Sequence, residues 1–188
     1  MGTKIRGLMG GVHEMVDEVN DKAGDIGRVL KDREAWLRGE AVEKLRKAPE
    51  EEIEFFIEKL IDMLSEDRDR WIREEIFEAL WIAIERGMKV PFEKIVEKLE
   101  DPDWRLREIV VRLLEAALEK GIEVPIKLIL EKLDHDDWRF RKDALRVLKK
   151  AVEKGRNVPL KKVQEMVSDE EEVVRLEAAK ILDESGIK

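Results

Sequence analysis

Apolar residues recur along this chain at spacings of three and four, which is the period of an amphipathic helix. The clearest stretch begins at Asp103 and ends before Gly121, and its apolar residues are Leu106, Val110, Leu113, Leu114, Ala117 and Leu118. We predict one long helix here, because glycine suits the left-handed position after a helix C terminus. A short helix should follow from Pro125, since proline fits the first helical turn, where its missing N–H costs nothing.

The same pattern returns every 34 residues. Arginine, glycine and a Val-Pro pair all keep this interval: Arg73, Arg107, Arg141 and Arg175; Gly87, Gly121 and Gly155; and the pairs at 90–91, 124–125 and 158–159. Arg38 precedes this column by 35 residues, which gives about five units of one short and one long helix. Such a unit cannot bury its apolar stripe alone, so the repetition predicts a stacked array.

On these residues the repeat resembles the HEAT family, specifically its short HEAT-like repeats. The likeness rests on an acidic turn between the helices and on an arginine after an apolar residue near the start of the second helix: Asp101-Pro102-Asp103, 134–137, Leu106-Arg107, Phe140-Arg141 and Val174-Arg175. It extends over about residues 24–186 and implies an all-α fold, a right-handed α-solenoid of about five two-helix repeats. HEAT proteins serve as scaffolds, adaptors, inhibitors and nucleic-acid binders, so the resemblance implies binding without identifying the partner.

Residues 1–23 fall outside this register. Their apolar residues still follow a helical stripe, which Gly7, Gly10 and Gly11 interrupt. We predict an extra N-terminal helix that caps the open end of the array over residues 24–188, since solenoids need covered ends. The alternative is a docking arm that folds onto a partner or mediates self-association with a second copy of the chain.

The composition restricts the function further. Cysteine is absent and 44% of the residues are charged. The sequence contains neither a stretch long enough to span a membrane nor a signal-peptide pattern, so a cytoplasmic protein is expected. Abundant Glu, Lys and Arg favour a thermophilic origin, although a designed helical array would have a similar composition. Nucleophile elbows, phosphate-binding glycine loops and Ser-His-Asp triads are missing from the sequence, so we predict no enzymatic activity and no cofactor.

The arginine column and the acidic turns are interpreted as structural. Each arginine should pair with an acidic turn residue of its own or the adjacent unit and thereby hold the register between repeats. The expected acceptors are Asp67, Asp101, Asp134 and Asp169. His135 stands among three aspartates, but turns without histidine are also acidic, so no metal site is predicted there.

Tryptophan recurs near the starts of the long helices. Trp36, Trp71 and Trp81 are expected to pack between repeats. Trp104 and Trp138 occupy equivalent positions next to arginines. Their rings either fill the turn region or form an exposed stacking surface.

Charge is distributed unevenly, which bears on the partner. The chain has a net charge of −8, but residues 129–162 contain 11 basic and 6 acidic residues, a net of +5. We therefore predict a non-enzymatic scaffold that binds another protein through the extended face of the long helices. The predicted partner-binding residues are Trp104, Trp138, Arg139, Lys142, Arg146, Lys149 and Lys150.

Two other functions stay open on the sequence. A nucleic-acid binder would use the basic fourth repeat, although the acidic repeats beside it would repel a duplex along most of the array. A purely structural or designed array would have no ligand at all.

Overall fold

The computed structural model describes residue 26 and residues 35–186, without the side chains of residues 35–38 and 52. Over this part of the chain the secondary structure is helical, with no strand. The α-helices are α1 Ala35–Arg46, α2 Glu50–Glu66, α3 Arg70–Glu85, α4 Phe92–Glu97, α5 Trp104–Glu119, α6 Ile126–Glu131, α7 Trp138–Glu153, α8 Lys161–Glu165 and α9 Glu172–Ser185. The short helices α4, α6 and α8 each continue into a 3₁₀ turn: Lys98–Glu100, Lys132–Asp134 and Met166–Ser168.

The helices form two layers. The long helices α1, α3, α5, α7 and α9 pack side by side in chain order, and α2, α4, α6 and α8 pack against them as the second layer. A single core of buried Leu, Ile, Val and Ala side chains extends through the described units. The predicted all-α solenoid is confirmed: the described residues comprise four helix pairs, preceded by α1 as the long helix of the first unit.

The helix ends follow the repeat. Gly87, Gly121 and Gly155 have φ angles of 70°, 76° and 67°, so the predicted left-handed caps are confirmed. At the other end, three aspartates cap α3, α5 and α7, and each carboxylate accepts the backbone N–H two residues on at 2.9–3.0 Å: Asp69, Asp103 and Asp137. These contacts satisfy backbone donors that a helix leaves free at its first turn.

The arginine column joins each unit to the next. The Arg141 guanidinium makes two hydrogen bonds of 2.8 Å to the Asp169 carboxylate. Arg73 Nη1 lies 2.5 Å from Asp103 Oδ2. Each arginine also donates to a backbone carbonyl of the turn before its own helix, as Arg141 Nη1 does to His135 O at 2.8 Å. The predicted structural role therefore holds, since one side chain bonds to two successive units.

The predicted acceptors are only partly right. Arg107 Nε donates to Asp143 Oδ2 at 2.8 Å, whereas Asp101 offers Arg107 its backbone carbonyl rather than its carboxylate. The Asp134 carboxylate binds Lys162 instead of an arginine of the column. It stands one residue out of the 34-residue register, in which the equivalent position is His135.

His135 accepts the turn hydrogen bond that an aspartate accepts at the equivalent position of the other units. Its Nδ1 accepts the Asp137 backbone N–H at 2.9 Å. The equivalent aspartates make the same turn contact at 2.8–3.0 Å: Asp67, Asp101 and Asp169. The turn thus keeps one hydrogen-bond pattern with two different acceptor groups.

Several predictions fall on residues outside this description. The N-terminal helix over residues 1–23 and the side chains of Trp36 and Arg38 lie there, and the boundary between residues 23 and 24 stays a prediction. Of the described helices, none combines the length and the apolar character that crossing a membrane requires.

Candidate functional site

The outward side chains of the long helices form a charged surface, which we call the long-helix face. It comprises Glu74, Glu78, Trp81 and Glu85 of α3, Glu108, Arg112, Glu115 and Glu119 of α5, and Lys142, Arg146, Lys149 and Lys150 of α7. Ion pairs cross it from helix to helix. Arg146 Nη1 lies 2.6 Å from Glu108 Oε2, and Lys150 Nζ lies 2.7 Å from Glu119 Oε1.

A groove of about 500 Å³ lies on this face, where α3, α5 and α7 meet. Its floor is aromatic: the rings of Phe77 and Trp81 have centroids 5.8 Å apart. The Arg112 guanidinium lies 3.9 Å from the centroid of the Phe77 ring, a cation–π contact. The lining residues are Phe77, Glu78, Trp81, Arg112, Glu115, Ala116, Glu119 and Lys150.

Two carboxylates of α5 on the long-helix face, Glu108 and Glu115, have opposite electrostatic environments. The hydrogen bond from Arg146 holds the pKa of Glu108 below its ordinary value, against the opposing effect of burial. Burial raises the pKa of Glu115, since it disfavours the charged carboxylate. Arg146, 3.9 Å away, offsets only part of this effect. The ionised form of Glu108 is thus stabilised by its ion pair, whereas the ionised form of Glu115 is disfavoured by burial.

The basic residues predicted on α7 are engaged with carboxylates. Arg146 binds Glu108, and Lys150 binds Glu119. Lys149 lies 3.2 Å from Glu184 of α9. Lys142 has the weakest contact, 3.9 Å to its neighbour Asp143. Of these four basic residues, Lys150 lines the groove.

The two equivalent tryptophans have different surroundings. Trp104 is 58% exposed, whereas Trp138 is half-buried against the core. Arg139 is exposed and turns back onto the N-cap of its own helix, with Nη2 at 2.5 Å from Asp137 Oδ2. The structure therefore brings Trp104, Trp138 and Arg139 to the helix starts, apart from the groove.

The other described tryptophans pack as predicted. Trp81 is half-buried and contacts the core. Trp71 is 43% exposed, but its ring covers Gly39 of α1 so closely that a Cβ at this glycine would lie 2.0 Å from the ring. Phe77, Trp81 and Arg112 were not predicted as a site, because the two aromatic residues do not recur in other units and Arg112, which recurs as Arg146, lies at a different position of the repeat.

A second cavity, of about 380 Å³, lies at the N-terminal ends of α3 and α5. Arg68, Arg70 and Arg105 surround it together with the exposed Trp104. The sequence indicated the neighbours Trp104 and Arg105, but Arg68 and Arg70 lie more than 30 residues earlier and carried no repeat signal. We call this cavity the arginine pocket.

Within residues 35–186 and at residue 26, no group of three or more His, Asp or Glu side chains has the arrangement of a metal site. The imidazole of His135 instead accepts the turn hydrogen bond and lies 4.3 Å, centroid to centroid, from the Phe140 ring.

Comparison with known proteins gives one family match. The family model described as HEAT repeats matches residues 92–183, from α4 into α9. The search of curated proteins gives no match. The resemblance inferred from the acidic turns and the arginine column is thereby confirmed.

Similar solved structures include natural and engineered proteins. An archaeal HEAT-like repeats protein from Thermococcus onnurineus NA1 is 17% identical, with 92% of this chain and 93% of that chain covered and a TM-score of 0.34. A designed armadillo repeat protein in complex with the peptide (KR)4 is 17% identical, with 85% and 80% covered and a TM-score of 0.46. An engineered protein is 20% identical, with 86% and 80% covered and a TM-score of 0.46.

Proposed function

From the match of residues 92–183 to the HEAT repeats, we propose that the chain is a non-enzymatic scaffold that binds another protein through its long-helix face. Arrays of this fold commonly serve as protein-interaction scaffolds. The observation that carries the proposal is the groove of about 500 Å³ with its aromatic floor of Phe77 and Trp81. Aromatic residues in a partly enclosed site are typical anchors of protein recognition.

The charges around the groove favour a protein over a nucleic acid. Glu78, Glu115 and Glu119 stand on its rim beside Arg112 and Lys150. A polyphosphate backbone gains affinity from consecutive basic contacts, and these carboxylates would repel it. A protein surface with both charge signs can match such a rim, and this complementarity fixes its orientation.

The predicted partner-binding residues keep different roles in this proposal. Lys150 contacts the partner at the groove, and Lys142, Arg146 and Lys149 of the same helix set the charge of one end of the face. Trp104, Trp138 and Arg139 lie at the helix starts and extend the contact with the partner beyond the groove. The cytoplasmic location, the thermophilic origin and self-association through residues 1–23 stay predictions from the sequence.

The test is co-purification of a partner from native lysate, with and without nuclease. We expect a protein bound in stoichiometric amount that nuclease does not remove. It should be lost with Trp81→Ala, which removes the aromatic floor, and weakened by Lys150→Glu, which reverses one charge of the rim. Lys127→Glu is the matched control, because Lys127 is exposed on α6 in the other layer.

Circular dichroism of each variant separates loss of binding from loss of fold. Recovery of nucleic acid, with any proteins lost after nuclease, would contradict the proposal. So would a protein partner that folded Trp81→Ala and Lys150→Glu variants retain as well as Lys127→Glu does.

A further inference from the structure

The arginine pocket is formed where two successive long helices begin. Arg70 is the first residue of α3, and Trp104 and Arg105 are the first two of α5. Arg68 comes from the turn before α3. These four residues are exposed and surround one cavity of about 380 Å³, although they come from two repeats.

The carboxylates of this pocket are already paired. Asp103 Oδ2 lies 2.5 Å from Arg73, and Glu108 is bound by Arg146 at 2.6 Å. Glu74, the third lining carboxylate, lies 3.7 Å from Arg112. Each acidic group in the pocket therefore has its own arginine partner.

Three guanidinium groups of the pocket have no carboxylate partner. Among the described residues, no carboxylate oxygen lies within 4.0 Å of a guanidinium nitrogen of Arg68, Arg70 or Arg105, the distance at which an ion pair forms. Elsewhere on the long-helix face the basic side chains are matched with carboxylates, as Arg146 and Lys150 are. The pocket lining thus contains five arginines and three carboxylates, an excess of positive charge.

Trp104 orients one of these groups. The Arg105 guanidinium carbon lies 4.7 Å from the centroid of the Trp104 ring. Stacking against an indole restricts the guanidinium, so less conformational entropy is lost when its planar fork binds a carboxylate. The exposed remainder of the ring offers an apolar surface next to the charge.

We propose that the arginine pocket binds an acidic segment of the protein partner, with carboxylates on Arg68, Arg70 and Arg105 and an adjacent apolar side chain on Trp104. This inference rests on the proposed function and names the chemistry of the partner. Guanidinium groups bind carboxylates through paired hydrogen bonds, which gives both affinity and orientation. The charge is confined to one pocket next to the carboxylates of the groove, which suits a short acidic segment rather than a long polyanion.

The test is fluorescence polarisation with a labelled peptide of four Glu-Glu-Leu units, beside its Gln-Gln-Leu counterpart and an oligothymidylate of similar length. We expect the Glu peptide to bind at least about tenfold more tightly than the Gln peptide, and more tightly than the oligonucleotide. Arg70→Gln and Arg105→Gln should each weaken it about three- to tenfold, since each removes one charge-assisted contact. Arg86→Gln, at the opposite end of α3, is the matched control and should leave binding within about twofold.

A second variant tests the apolar contact. Trp104→Ser should weaken the Glu-Glu-Leu peptide more than a Glu-Glu-Ser peptide, because only the former has a side chain to place on the ring. Equal binding of the Glu and Gln peptides, or equal losses for Arg86→Gln and Arg105→Gln, would overturn the inference. Tighter binding of the oligothymidylate, weakened by the same arginine variants, would overturn it in favour of a nucleic acid.

The same variants separate this inference from the proposed function. Suppose that Trp81→Ala loses the partner from lysate but Arg70→Gln and Arg105→Gln retain it. This result would contradict the acidic-segment inference and still support the proposed scaffold function. Peptide binding that depends on Arg70 and Arg105, without any partner dependent on Trp81 or Lys150, would support the pocket and contradict the groove.

Discussion

At the scale of single residues, the repeat depends on buried ion pairs between units. The side chains of Arg141 and Asp169 are only 8% and 5% exposed, and their two hydrogen bonds join α7 to the turn before α9. Burial opposes ionisation of Asp169, but the hydrogen bonds from Arg141 and from the Glu171 backbone hold its pKa below the ordinary value. The pair is therefore charged near neutral pH and sensitive to the loss of one partner.

We predict that Asp169→Asn lowers the free energy of unfolding by about 3 kcal/mol, because it leaves the buried Arg141 charge with only the exposed carboxylate of Glu170, at 3.5 Å, as a counter-ion. Arg139→Gln is the control, since Arg139 pairs with Asp137 at a site where its side chain is 60% exposed. Exposed pairs contribute less than about 1 kcal/mol. Urea unfolding followed by circular dichroism measures both, and similar losses for the two variants would contradict the prediction.

The sequence predicted what the arginines do but not all of their partners. Regular recurrence of a charged residue among apolar ones indicates a structural pair, and this was sufficient for Arg73, Arg107 and Arg141. The acceptor of Arg107 is Asp143, which lies in the next long helix and does not recur in other units. An unrepeated contact carries no periodic signal, so it required the packed structure.

At the scale of elements, α1 and α3 meet through a glycine. A Cβ at Gly39 would lie 2.0 Å from Cζ3 of Trp71, far closer than two carbon atoms can approach. The ring ends a side chain that is 43% exposed, so it has space to rotate away. The contact between these helices therefore depends on the absence of a side chain at residue 39.

We predict that the effect of Gly39→Ala changes sign with the residue at position 71. In the wild-type chain it should cost about 1–3 kcal/mol, because the Trp71 ring is displaced from α1. In the Trp71→Ala background it should stabilise by about 0.5–1 kcal/mol, because alanine favours a helix over glycine. A double-mutant cycle by thermal unfolding measures this coupling; the same sign in both backgrounds would contradict the prediction.

The elements themselves follow closely from local chemistry. The glycines after the long helices and the aspartates before them mark helix ends that the structure has at the expected places, such as Gly121 and Asp137. The first described pair departs from the pattern, because α2 has 17 residues where α4 has 6. This difference in length was not anticipated, since the column of Val-Pro pairs does not extend to that unit.

At the scale of the whole molecule, ion pairs make stability depend on pH. Hydrogen bonds from Arg73, Arg139 and Arg146 hold the pKa values of Asp103, Asp137 and Glu108 below their ordinary values. A carboxylate with a lowered pKa in the folded state contributes stability above its unfolded pKa of about 4, and this contribution is lost as the pH falls through the folded pKa. The ionised carboxylate of Glu115 instead lowers stability at neutral pH, because burial raises its pKa in the folded state.

We therefore predict opposite effects for two substitutions on the same face of α5. Glu108→Gln should lower the thermal midpoint at pH 7, and its difference from wild type should shrink as the pH falls below about 4. Glu115→Gln should leave the midpoint unchanged or raise it at pH 7, because it removes a carboxylate that burial disfavours. Thermal unfolding between about pH 3 and pH 7 checks both, and equal losses at neutral pH would contradict the signs.

The amino-acid pattern was sufficient to predict the helices, their caps, the 34-residue repeat and the stacked architecture. All of these depend on local propensity or on a contact that recurs in every unit, so the signal accumulates along the chain. It also placed excess positive charge on α7, but only the tertiary structure pairs that charge with Glu108, Glu119 and Glu184 of the neighbouring helices. The groove and the arginine pocket were likewise decided by packing, because each brings together residues of successive units. A site assembled from several units is not visible in the pattern of any one unit, and it exists only once the helices are side by side.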